Sequence, residues 1–141
     1  MDTLSKIGLW FGRVLLLYAG VLFILIGSRG LIDPVNSSKE LGILFDSSAG
    51  ITVGRVALGG FPIATAIVIL WCLFSNTRLF YGLVFFAVVI GVLTIIRAYG
   101  LAVDGMTVRN VKILKPEIVL TILSVPAIFF EVRRLKRKMA V

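Results

Sequence analysis

Arg97 stands at the end of a long apolar stretch, Leu83 to Ile96, with Ala98, Tyr99, Gly100 and Leu101 still to follow. A guanidinium in such surroundings must either reach water or find a partner. The carboxylate placed to meet it is Glu117, which opens the next apolar stretch. As an ion pair the two would clamp neighbouring helices. As a cationic pocket they would face an anionic lipid headgroup or the carbonyl of a quinone-like molecule. Arg29, Asp33, Arg55 and Asp104 also stand near the ends of apolar runs, on the same side as Arg97 and Glu117. Arg29, Arg55, Arg97, Asp104 and Glu117 form a candidate outer polar cluster. At the opposite ends of the runs, Arg13, Arg78 and Glu131 form a candidate inner one.

Other chemistry is poorly supplied. Cys72 is the single cysteine and there is no histidine. A disulfide within the chain, a histidine-ligated metal or haem, and a nucleophile–histidine pair are all excluded. No residue is assigned to catalysis, to a cofactor or to a metal. The apolar runs carry no Asp or Glu at mid-depth, so a proton relay has little to work with. Cys72, within an apolar run, reads as a small packing residue.

The elements that position these residues follow from composition. The chain has 141 residues, 59% hydrophobic and 16% charged, against about 45–50% and about 25% in ordinary soluble domains. So much apolar surface cannot be hidden inside a soluble domain of this size, and lipid must serve as part of the solvent. The expected fold is all-α, an integral membrane four-helix bundle with spans over 9–32, 55–74, 79–101 and 117–132. Asp33-Pro34 ends the first span, because proline disfavours helical geometry in the residue before it. The first span is too long for a signal-peptide core and no small-residue cleavage site follows, so it reads as retained.

Between the spans, residues 33–54 form an outer loop with polar clusters on either side of Leu41–Phe45, which reads as a short re-entrant or interfacial helix. This loop is the expected place for exposed function. Ser75-Asn76-Thr77-Arg78 is so short a turn that spans two and three must form a helical hairpin. Pro62 should bend span two. Pro116 is placed to start the fourth helix, where its missing N–H matters least. The fourth span is then the shortest, and at about 1.5 Å per residue it barely crosses a core of roughly 30 Å.

Net charge is +8, and five of the fifteen basic residues fall in the final segment 133–141 (Arg133, Arg134, Lys136, Arg137, Lys138). This reads as a basic cytoplasmic tail meeting anionic headgroups, not as a nucleic-acid surface. An even number of spans then places both termini on the cytoplasmic side. Gly20, Gly27, Gly59, Gly60 and Gly91 are candidate helix-packing positions, since small residues let membrane helices approach. Gly20 and Gly27, seven apart, share one helix face, and Gly8-x-x-x-Gly12 is a small-residue motif at a span's edge. The aromatic residues fall mainly near span ends, with Trp10, Phe11 and Tyr99 suited to interfacial belts.

Gly54-Arg-Val-Ala-Leu-Gly-Gly60, Arg97-Ala-Tyr-Gly-Leu-Ala-Val-Asp-Gly105 and the Glu117 opening span four together resemble a bacterial four-helix membrane family. That family is known as domain of unknown function 4345, and is itself distantly DoxX-like. The resemblance covers roughly residues 9–132, and Pro62 departs from it. It implies a compact four-helix inner-membrane protein and no particular reaction. The residues themselves point first to a structural or accessory role, through helix contacts with itself or a membrane complex. A binder of an anionic lipid or quinone-like molecule at the outer mouth is the second reading, and a membrane enzyme or transporter the third. Membrane lipids are the expected partners, with a homo-oligomer or larger complex open and nucleic acid not expected.

Overall fold

The computed structural model describes residues 3–139, with side chains described for 6–137. Among the described residues the chain forms helices α1 (Thr3–Ile32), α2 (Pro34–Glu40), α3 (Ser48–Gly54), a π-helical segment (Arg55–Gly60), α4 (Phe61–Leu73), α5 (Leu79–Val103) and α6 (Val108–Met139), and no strand. Four stretches are long and apolar enough to cross a membrane: Lys6–Ile32, Ser48–Leu73, Leu79–Val103 and Val108–Arg137. The all-α, four-span expectation therefore holds. In each span only 17–28% of the most apolar window is buried inside the protein, so most of every span is left for lipid. Helices suit that solvent because they satisfy their backbone hydrogen bonds internally.

The chain forms two compact units. One contains α1 as far as Leu16 and everything from Cys72 onward, and the other is Leu17–Trp71. In the second unit, the later half of α1 packs on the α3–α4 helix through glycines. A Cβ at Gly20 would lie 2.6 Å from Leu70, one at Gly27 2.9 Å from the Gly59 carbonyl, and one at Gly59 2.8 Å from the Leu31 nitrogen. Gly30 is tighter still, with its Cβ position falling on the Leu58 carbonyl. That carbonyl is the one Pro62 cannot serve, because proline has no N–H to return to the residue four before it. Immediately before Pro62 the helix widens into its π segment, with the Phe61 N–H bonded to the Val56 carbonyl. Pro62 thus marks a π segment, where the sequence predicted a bend.

The link between α1 and α3 differs from expectation. Residues 34–40, read as loop, are helical, because Asp33 caps the Asn36 N–H at 3.1 Å and Pro34 occupies the first turn. Leu41–Phe45, expected as the helix, is irregular. Gly42 at φ +80° stops α2. Its N–H donates to the Lys39 carbonyl at 3.0 Å and that of Ile43 to Ser38 at 2.8 Å, the two bonds of a Schellman motif. Ser47 then caps α3 by accepting the Gly50 N–H at 3.1 Å. The second span consequently starts at Ser48, about two turns of helix before Arg55.

In the other unit, α5 and α6 form a helical hairpin, joined by a link that turns at Gly105, φ +96°. The expected undersized fourth helix is not found. α6 is the longest helix, 32 residues, or about 48 Å at 1.5 Å per residue. It begins at Val108, where Thr107 accepts the Asn110 N–H at 3.3 Å, so Arg109, Lys112 and Lys115 are helical and not loop residues. Pro116 lies inside it. The carbonyl it frees belongs to Lys112, an exposed residue near the polar start of the helix, where water can satisfy it. The expected tail also continues α6 as far as Met139, while residues 140–141 lie outside the described part. Phe86, fully buried, and Leu79 and Leu83 form the centre of this unit. Gly82 lets α5 approach Cys72, buried as expected, where a Cβ would lie 2.5 Å from the Cys72 Cβ.

Candidate functional site

Two polar networks are built into the unit containing α5 and α6. In the first, Arg97 Nε donates to Glu117 Oε2 at 2.8 Å, the pairing expected from the sequence. The side chains are 28% and 12% exposed, so the pair is only partly shielded from its surroundings. Beside it, Thr94 and Thr121 bring their hydroxyls to 3.0 Å. Thr94 Oγ1 also lies 2.8 Å from the Ile90 carbonyl, and Thr121 Oγ1 2.8 Å from that of Glu117. Each hydroxyl has one proton, so one donates across the interface while the other keeps its backbone acceptor. Ser124, buried, donates to the Thr121 carbonyl at 2.7 Å. A polar seam therefore runs between α5 and α6, with the ion pair at one end. Arg97 makes this contact through Nε.

The rest of the outer cluster is exposed. Asp104 is exposed at the end of α5, where its N–H donates to the Gly100 carbonyl at 2.8 Å. Arg29, in the last turn of α1, and Arg55, opening the π segment, are exposed residues of the other unit.

The second network joins Arg13 and Glu131 of the expected inner cluster through two residues the sequence reading did not select. Arg134 grips Glu131 with both prongs, Nε to Oε2 at 2.8 Å and Nη2 to Oε1. Arg134 is 4% exposed and Glu131 1%, so the pair is sequestered from solvent. Arg134 Nη2 also donates to the backbone carbonyl of Asn76 at 2.6 Å. The Asn76 side chain turns the other way and accepts from Arg13 Nη2 at 2.8 Å. Arg13 lies over the Trp10 ring at 5.9 Å, and its Nε is buried with no acceptor among the described residues. Arg78 is half-buried immediately before α5. Arg134 was read as part of a headgroup-facing tail, whereas Arg133, with its guanidinium 4.2 Å from the Phe129 ring centroid, is exposed as that reading requires. The signal for the pair was present in the three-residue spacing of Glu131 and Arg134, which stacks them on one helix face.

Of the expected packing glycines, Gly20, Gly27 and Gly59 make close contacts, but Gly60 and Gly91 do not. Consecutive helical residues point about 100° apart, so Gly59 and Gly60 cannot both face α1. Gly30 and Gly54 are contacts the sequence reading missed. Gly8 and Gly12 pack within the chain, against Phe130 and Leu83. Among the described residues no group of three metal-ligating side chains occurs.

The fold and its polar seams define a multi-pass helical membrane protein. No protein-family model, curated protein or solved structure matches this chain.

Proposed function

We propose that this chain is a structural or accessory protein of a bacterial inner membrane, with both termini cytoplasmic, acting through helix contacts with itself or a larger membrane complex. The observation that carries this reading is where the polar groups are spent. Arg97 with Glu117, and Glu131 with Arg134, Asn76 and Arg13, bind one segment of the chain to another. Groups used in this way fix helix packing and are not held ready for a reaction. Gly60 and Gly91 supply approach points, since nothing among the described residues lies within 4 Å of a Cβ at either. The resemblance of 54–60 and 97–105 to the four-helix bacterial family supports the inner-membrane setting. The exposed Arg133 and Lys136 support a cytoplasmic C-terminus by the positive-inside rule.

Mass measurement after purification in mild detergent tests the proposal. A particle heavier than one chain is expected, and a strict monomer with no accompanying protein would count against it. One observation favours a second reading, the part-exposed Arg97 guanidinium at the end of the α5–α6 seam, which suits the phosphate of an anionic lipid or a quinone-like carbonyl. Arg97→Leu separates the two. A clamp predicts lowered thermal stability with bound lipid unchanged, and a binding site predicts loss of a co-purifying molecule with stability kept.

A further inference from the structure

Residues 41–45 connect α2 to the second span, and they do not project away from it. The Phe45 ring lies against Gly54, where it occupies the place a Cβ would take, and 3.5 Å from a Cβ position at Gly50. Gly54 is six residues beyond the start of α3 at Ser48, about 9 Å along the helix axis at 1.5 Å per residue. The loop therefore folds back alongside the first turns of a membrane span. The residues just before Phe45 are apolar and uncovered, Ile43 at 46% and Leu44 at 79% exposure. Arg55, adjacent to Gly54, is exposed at the same level. An exposed arginine in the first turns of a span reaches the headgroup region with its long side chain.

We infer that residues 41–45 form an apolar foot inserted into the membrane interface, with phospholipid as its partner. Depth decides the matter, because an isolated exposed leucine on a soluble surface has no such meaning. Here the Phe45–Gly54 contact holds Ile43 and Leu44 at the level where headgroups give way to acyl chains. The Schellman turn at Gly42 and the Ser47 cap fix the loop at both ends, so the foot is preformed. Asp46 and Arg55, exposed beside it, suit zwitterionic headgroups better than the apolar surface of a second protein.

Site-directed spin labelling of the full chain in vesicles of phosphatidylethanolamine and phosphatidylglycerol tests this. Labels go on Leu44→Cys and Ile43→Cys, with Asn36→Cys on the exposed polar side of α2 as reference. Native Cys72 is 5% exposed, and the unsubstituted chain sets its labelling background. At 43 and 44 the label should collide with oxygen in preference to a water-soluble nickel chelate, with a ratio several-fold above that at 36. Equal ratios at 36, 43 and 44 would place the loop in water and overturn the inference. Low accessibility to both reagents with spin–spin broadening at 44 would place a second copy there, and would overturn it equally.

Discussion

At the scale of single residues, Asn76 shows how few polar groups organise this protein. It occupies the turn between α4 and α5, yet its side chain accepts from Arg13 of α1 and its carbonyl from Arg134 of α6. The Arg134–Glu131 pair behind it is buried, and removing one member leaves the other charge without compensation. Arg134→Met should therefore destabilise the protein by about 3–5 kcal/mol, whereas Glu131→Leu combined with Arg134→Met should recover most of that loss. Thermal unfolding in detergent of the two single variants and the double one reads the difference. A double variant as unstable as the worse single one would show that the hydrogen bond to Asn76 carries more of the stability than the ion pair. The partly exposed Arg97–Glu117 pair should show weaker coupling by the same cycle, because its surroundings screen it.

At the scale of elements, glycines divide by what they face and not by where they lie in the sequence. Gly30→Ala drives a methyl group into the Leu58 carbonyl and should cost about 1–3 kcal/mol. Gly91→Ala meets open space within one chain and, in monomer separated by detergent, should be neutral or stabilising by about 0.4–1 kcal/mol, through reduced freedom of the unfolded chain. The unfolding midpoint should thus fall for Gly30→Ala and stay level or rise for Gly91→Ala. The short helix α2 carries a pH dependence of its own. The Asn36 backbone N–H, and then its side-chain amide, hold the Asp33 carboxyl below its ordinary value of 3.8. A depressed value in the folded state means that the cap's contribution is fully present above that ordinary value and is lost as pH falls through the lower folded one. Amide exchange at residues 36–40 should accelerate relative to the other helices as pH drops below about 4, once corrected for intrinsic rates. Asp33→Asn, which caps without titrating, should remove that dependence.

At the scale of the whole molecule, the proposed orientation has a direct test. A reporter enzyme active only in the cytoplasm, fused after Val141, should be active, and one inserted after Gly105 should be silent. The reverse pattern would invert the topology and place the loop 41–47 in the cytoplasm. Much of this level was legible beforehand. The charge-poor runs identified four spans, because about twenty apolar residues in helical form match the hydrocarbon thickness. Arg97 and Glu117 were legible as a pair because Arg97 closes one apolar run and Glu117 opens the next, on the same side. Arg134 was not, since one arginine among five basic residues looks like headgroup contact until its neighbour's burial is known.

The sequence by itself determined the solvent and the class of fold: apolar composition demands lipid, and lipid demands helices whose backbones satisfy themselves. It also placed the proline and glycine punctuation, though not always its meaning. Pro116 is compatible with starting a helix or lying inside one, and which occurs depends on whether the preceding turn can form and where the freed carbonyl points. Only the tertiary structure decided that the helix starts at Val108, that Leu41–Phe45 is irregular while Pro34–Glu40 is helical, and that Gly59 is a contact while Gly60 is not. The physical reason is common to these cases. Propensity and hydropathy act along the chain, whereas which side of a helix is covered, and which charge is buried, depends on the neighbour that packs there.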